Sequence, residues 1–310
     1  MSINFTAAGA LITAEPSLAE KIGQHIIHAM YFDGMRYIIA VGVFFAIISI
    51  FKTYADKRRI QKRAAQKKDY IREIASSIRT VFIFALTTIS TILLTEAGIV
   101  NIQLEGVSAD ILIAQVAVII LAHDTYFYWM HRALHHRKLF RATHLHHHKS
   151  RTPTAFAAYS FSIWEAASEA AFVPIFLLMT SLLGVAYAGF AIFIFLGFMI
   201  VRNVMGHLGV EMHPAGWVDN KWIGWINTTT HHDLHHSSGN HNFGLYFTWW
   251  DRMMGTEHPE YKQRFREVAQ PLFAKSAPIT PRVAEKLAIT LMAVFATSTA
   301  LWNGMGAMGI

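Results

Sequence analysis

The sequence predicts an all-α fold: a polytopic integral membrane helical bundle with a cytoplasmic helical cap holding a histidine-rich site. Three observations predict it. The 310 residues are 53% hydrophobic and only 15% charged, well below the roughly one quarter charged in soluble domains. Five or six apolar runs share the chain. Fifteen of its 18 histidines fall in two windows, 123–148 and 207–241.

The runs are 36–51, 80–95, 111–129, a long stretch 170–201 broken near Gly184, and 287–303. Each approaches the roughly 20 residues that cross about 30 Å of hydrocarbon. The first two are short and are expected to gain length from flanking residues. Lys and Arg set the orientation. Ten of them lie between 52 and 79, and none lies in 98–110, so the former belongs in the cytoplasm and the latter outside. The third span then returns inward to 131–151, which carries six more basic residues. A hairpin of 163–183 and 185–201 brings the chain back to the same side at Arg202. Segment 202–285 is polar enough for a cytoplasmic domain, and 287–303 crosses again. Both histidine windows therefore share one side of the membrane. The expected organisation is 1–110 with two spans and the basic loop, 111–258 as the catalytic region, and 259–310 as a link containing Pro271, Pro278 and Pro281 with a final span.

The net charge of +7 follows the apolar runs, so it reads as membrane orientation rather than nucleic-acid binding. The absence of cysteine excludes disulfides, Cys-held iron–sulfur clusters and Cys-type zinc sites. The first 30 residues lack the basic start and apolar core of a signal peptide. No Lys-Asp-Glu-Leu-type signal appears. A bacterial inner membrane is the expected location, ahead of the endoplasmic reticulum.

Residues three or four apart share a helix face. His131 and His135 can therefore point to one place, as can His144, His147 and His148, and again His232, His235 and His236. Eight imidazoles exceed the four ligands of a tetrahedral zinc. They suit two ions of borderline softness, with iron the natural choice for oxidation. A metal transporter or metal-binding protein is the alternative. It would carry its ligands midway along the spans. A zinc protease of the HExxH kind is excluded, because no cluster has Glu after His.

These blocks resemble the fatty acid hydroxylase superfamily, also called the sterol desaturase family. The first block runs from Asp124 through Tyr126, Tyr128 and Trp129 to His131, His135 and His136. The second runs from Leu139 to His148, followed by Thr152 and Pro153. The third, 231–236, is followed by Asn242-Phe243-Gly244 and by 250–256. The resemblance covers about 111–258. It implies a membrane-bound non-haem di-iron oxygenase whose two iron ions are bound by His131, His135, His144, His147, His148, His232, His235 and His236. His207, shortly before Pro214, fits the position of a ninth ligand. Where some relatives carry a further histidine this chain has Glu211, which is open as a ligand or as an orienting group. His146, His213 and His231 are expected around the site rather than in it. Asp124, Asp233, and Glu165 with Glu169, four apart in an otherwise apolar segment, are candidate carboxylate partners for ligating imidazoles.

The resemblance also implies O₂ as co-substrate. Hydrogen is removed from an unactivated C–H bond of a lipid, giving an alcohol or, after a second abstraction, a double bond. Fatty acyl, sphingoid, sterol and other isoprenoid lipids are the candidates. They would enter from the bilayer past Tyr126, Phe127, Tyr128, Trp129 and Trp164. No dinucleotide-binding unit with its glycine fingerprint between strand and helix is legible, so electrons are expected from a separate donor protein.

Overall fold

A computed structural model describes residues 17–269. The expected final span at 287–303 and the prolines before it lie outside the described residues. The first helix, α1 (Leu18–Ile50), opens on a capping box. The Ser17 hydroxyl accepts from the Glu20 amide at 3.3 Å, and the Glu20 carboxylate accepts from the Ser17 amide at 2.7 Å. This satisfies two of the free donors of the first turn. A short α2 (Lys52–Lys57) follows, then α3 (Lys67–Glu96), whose Asp69 accepts from the Gln66 amide at 3.0 Å.

The helix α4 (Ala109–Leu134) leads into two four-residue turns, α5 (Phe140–Thr143) and α6 (Leu145–His148). After a 3₁₀ turn at Ala155–Tyr159 come α7 (Ile163–Ala170) and α8 (Phe172–Leu182). Pro174 lacks the amide that would continue α7 into α8, which accounts for the joint between them. The expected break near Gly184 is present: that residue takes φ +76°. Then α9 (Gly189–Gly206) runs back. Beyond it lie a 3₁₀ turn at Trp217–Asp219, α10 (Thr229–Ser238), α11 (Trp249–Met253) and α12 (Tyr261–Val268). The only strands among the described residues are Ile102–Gln103 and Tyr187–Ala188, which pair in parallel.

Among the described residues, five helices are long and apolar enough to cross a membrane: Ala19–Ile50, Lys67–Glu96, Ala109–Leu134, Ile163–Leu182 and Gly189–Gly206. The chain is an integral membrane protein. The first two spans are far longer than their apolar runs. The polar first turn of α3 packs at the histidine end of the bundle, where Asp69 and Glu73 are buried, while that of α1 lies at the opposite end, beside Glu96, and is exposed and held by its capping box. On α3, the exposed apolar side chains Ile71, Ile74, Ile78, Phe82, Leu86 and Leu93 form one stripe. From Ile71 to Leu93 it measures about 33 Å at 1.5 Å per residue, which matches the hydrocarbon thickness of about 30 Å.

Two apolar clusters hold the spans together. In one, Tyr37, Val41, Phe44, Val81, Ala158, Tyr159, Ile200 and Val204 join α1, α3, α9 and the first 3₁₀ turn. Tyr37 stacks on Tyr159 at 4.7 Å between ring centroids. In the other, Ile119, Phe172, Leu177, Ala191 and Phe195 join α4, α8 and α9. The basic loop and both histidine windows meet at one end of the bundle. There the Ile60 amide donates to the Gly209 carbonyl at 3.1 Å, and Arg72 donates to the Ser150 hydroxyl at 3.1 Å.

Ala158 is fully buried where α1, α3 and α9 converge. Ala158→Leu should cost about 1–3 kcal/mol through overpacking, read as a lower thermal midpoint in detergent. An unchanged midpoint would show that the cluster tolerates volume there.

Candidate metal centre

Nine histidines converge at that end, in two groups. His131, His135, His144, His148 and His235 form one, and His147, His207, His232 and His236 form the other. Within each group the facing ring nitrogens all lie within 4.8 Å of one another. The groups are adjacent: the rings of His148 and His236 are 5.1 Å apart between centroids.

Each HxxHH block is divided. The expectation that His144, His147 and His148 point to one place does not hold, nor does it for His232, His235 and His236. His147 and His148 go to different groups, as do His235 and His236. Successive residues on a helix are rotated by about 100°, so two neighbours straddle a boundary more readily than they share a target. In the second block the chain also kinks at His144, φ −125°, between α5 and α6.

The inner nitrogens come close. Nε2–Nε2 separations are 3.0 Å for His131–His144, 3.1 Å for His135–His148 and 3.0 Å for His148–His235. In the second group they are 3.2 Å for His147–His207, 2.9 Å for His207–His232 and 3.2 Å for His232–His236. The outer nitrogens are held by acceptors. His131 Nδ1 donates to the Phe243 carbonyl at 2.9 Å, His235 Nδ1 to the His241 carbonyl at 2.8 Å, and His207 Nδ1 to the Asn203 carbonyl at 2.8 Å. His147 Nδ1 reaches the Ser160 carbonyl at 3.4 Å, and Glu165 Oε1 lies 2.8 Å from His144 Nδ1.

A carbonyl can only accept, so these rings carry their proton on Nδ1 and turn a bare lone pair inward. Burial, and in most cases the neighbouring imidazoles, hold the rings neutral. His207 and His148 are pushed down to about 4 and His135 to about 2. His144, His147, His232, His235 and His236 lie well below the usual imidazole value. Inward lone pairs about 3 Å apart repel unless a cation lies between them. A metal–imidazole bond of about 2.0–2.1 Å sets neighbouring donors about 2.9–3.4 Å apart for right-angle to tetrahedral geometry. The donor set therefore fits two imidazole-bound metal ions.

The surrounding polar groups position the blocks. Glu211 belongs to neither group. Its Oε1 accepts from the His213 amide at 2.9 Å, and its Oε2 accepts from the Thr230 amide at 2.8 Å and hydroxyl at 2.6 Å. It thereby caps α10, the helix of the third block. Burial alone would raise this carboxyl, but the His213 and Thr230 donors hold it below the usual value. Gly239, at φ 73°, ends α10, and its amide donates to the His235 carbonyl at 2.8 Å.

Asp251 was given no role by the sequence. It accepts from the Phe243 and Gly244 amides, each at 2.8 Å, and so fixes the carbonyl that holds His131. A Cβ on Gly244 would meet Asp251 Oδ2 at 2.9 Å and the Phe247 carbonyl at 2.5 Å, which explains the glycine. Asn242 completes this turn at φ 59°. The carbonyl acceptors carried no signal in the sequence, because any residue supplies one.

Other expectations are corrected. Asp124 reaches no histidine; it accepts from the Tyr246 and Phe247 amides at 2.8 and 3.3 Å. Seven residues separate it from His131, about 10 Å along the axis. Asp233 is buried and accepts from Gln61 at 3.0 Å, and burial pushes it up to about 7. His146, His213 and His231, expected around the site rather than in it, belong to neither group: His146 lies 2.7 Å from the Ser76 hydroxyl, His213 bonds Glu211, and His231 lies 3.5 Å from Asp251. Of the aromatics expected on an entry route, Phe127 and Tyr128 are buried, while Trp129 and Trp164 face outward.

Residues 116–256 match the family model described as fatty acid hydroxylase, and this part of the chain is a domain of that family. Over 215 residues the chain is 28% identical to a Delta(7)-sterol 5(6)-desaturase of Aspergillus fumigatus, covering 68% of this chain and 57% of that protein. It is 32% identical over 150 residues to a lathosterol oxidase of Rattus norvegicus, covering 48% and 46%. It is 34% identical over 152 residues to a cholesterol 25-hydroxylase of the same species, covering 47% of each. The chain spans about half the length of the curated relatives it matches. These organisms are eukaryotic, which lends no support to a bacterial membrane. No solved structure matches.

Among the described residues, Glu165 is the one carboxylate beside an outer imidazole nitrogen of the two groups. Glu165→Ala should weaken metal binding about 10–100-fold, the usual effect of removing such a partner, in a competitive chelator titration. Unchanged affinity would remove Glu165 from the site.

Proposed function

We propose that this chain is a membrane-bound non-haem di-iron oxidoreductase that hydroxylates or desaturates a lipid, using O₂ and electrons from a separate donor protein. The observation that carries the reading is the pair of adjacent imidazole groups, five and four strong, whose inner lone pairs face one another. The fatty acid hydroxylase domain supports iron as the metal. In this reading His131, His135, His144, His148 and His235 hold one ion, and His147, His207, His232 and His236 hold the other. When bound, the iron pair supplies O₂ activation and removal of hydrogen from an unactivated C–H bond.

The chain's own residues keep that site ordered and dry. The carbonyls of Phe243, His241, Asn203 and Ser160 hold the Nδ1 protons of His131, His235, His207 and His147 outward, so these four rings are presented as neutral donors. Phe140, Phe161 and Phe243 pack against the histidine rings and exclude water. The site lies at the ends of the spans rather than midway, which speaks against a metal transporter. It also puts the chemistry near the level where a lipid tail in the bilayer can be reached. Relatives named for sterols make sterols and similar isoprenoid lipids the first class to test.

The histidine end is assigned to the cytoplasm, as a helical cap, from the ten Lys and Arg of 52–79. That side also suits a soluble electron donor.

Purified protein should carry about two irons per chain. Its O₂ consumption with lipid and a reductant should be lost in His147→Ala, from one group, and equally in His235→Ala, from the other. A single zinc with no O₂ consumption would refute the assignment. Ser237 is exposed just past the third block, and a cysteine placed there should be labelled only from the cytoplasmic side. Labelling from outside would invert the topology.

A further inference from the structure

Behind the second histidine block lies a cleft whose charge the proposed chemistry does not use. It has a volume of about 330 Å³ and opens between the start of α3 and the segment after α6. Arg63, Lys68, Arg72, Lys149 and Arg151 line it, with Asp69 as its one carboxylate. That carboxylate is already engaged. Arg72 donates to it at 2.8 Å, and the Gln66 amide does so at 3.0 Å. The side chains of Arg63, Lys68, Lys149 and Arg151 form no hydrogen bond or ion pair among the described residues. Two segments some eighty residues apart thus bring five cations around one concavity that holds a single carboxylate. Like charges so gathered repel, and they raise a local potential that favours an anion.

The depth of the cleft identifies the anion. Ile71 begins the lipid-facing stripe of α3, so Lys68 and Arg72 flank the edge of the hydrocarbon, where lipid phosphates lie. We propose that this cleft binds a phosphate group, and that its source is the headgroup of an anionic phospholipid. Guanidinium and ammonium groups from two sides suit tetrahedral phosphate oxygens, and the concavity admits a headgroup. The site is also tied to the metal-centre scaffold. Arg72 donates to Ser150 at 3.1 Å, two residues past His148. Gln61 bridges the Arg151 carbonyl at 2.7 Å to Asp233 in the third block at 3.0 Å. A bound headgroup therefore steadies the segment joining two histidine blocks. This inference rests on the cleft alone and does not require the oxygenase reading.

The test is native mass spectrometry of the purified full chain in neutral detergent, titrated with phosphatidylglycerol or phosphatidylcholine. Phosphatidylglycerol should be retained about tenfold or more over phosphatidylcholine, and soluble glycerol phosphate should compete. Arg63→Gln, Lys68→Gln and Arg151→Gln combined should abolish the preference while the thermal midpoint stays near that of the parent. Arg63→Lys with Arg151→Lys should keep it. Equal retention of both lipids, or a preference untouched by the triple change, would overturn the proposal. Tight binding of glycerol phosphate without any lipid preference would overturn the lipid source and leave a soluble phosphate. If the triple change instead abolished only the binding of an acidic protein, the cleft would be a protein-docking surface and the lipid assignment would fall.

Discussion

Neutral imidazoles that turn bare lone pairs toward one another at about 3 Å are the constraint on which the rest of this structure depends. Such an arrangement is unfavourable by itself. It persists only if enough of the rings are locked from behind and they stand on elements too well packed to relax. Both conditions are met. The carbonyl oxygens of Phe243, His241, Asn203 and Ser160 hold four of the outer nitrogens, and one carboxylate, Glu165, stands at a fifth. The burial that keeps the rings neutral also raises the cost of leaving them without a cation.

The scaffold follows from that demand. The ends of α4 and α9 deliver His131, His135 and His207, and the packing of these spans on α1, α3 and α8 fixes their height. The third block stands on α10, held at its start by Glu211 and at its end by Gly239. Two buried carboxylates clamp the chain that supplies the His131 acceptor, with Asp251 on the amides of Phe243 and Gly244 and Asp124 on those of Tyr246 and Phe247. Neither carboxylate touches an imidazole of the two groups, yet both decide where one points.

The spans were legible because lipid exposure leaves a continuous apolar record. Their true ends were not, since the first turns of α1 and α3 are polar: that of α3 is helical through packing at the histidine end, that of α1 through its capping box. The nine histidines that converge are the nine that spacing and family likeness single out. Their partition was not legible, because HxxHH fixes angles on one helix but not which neighbours the two faces will meet. Glu165 stood out as a carboxylate in apolar sequence. Asp124 misled for the opposite reason: it shares a helix face with His131, but a carbonyl from a segment more than a hundred residues away had taken the nitrogen it was expected to hold.

The division of each HxxHH block has a consequence for how such a chain can change. His147 and His148, like His235 and His236, serve the two groups from consecutive positions on one backbone. Adding or deleting a single residue inside either block turns the following positions by about 100° and mis-aims donors in both groups at once. Substitution can erode one centre at a time, but length variation cannot. In divergent descendants these two short segments should be the most rigidly conserved in length, while the connection around Gly184, at the opposite end of the bundle, is free to gain and lose residues.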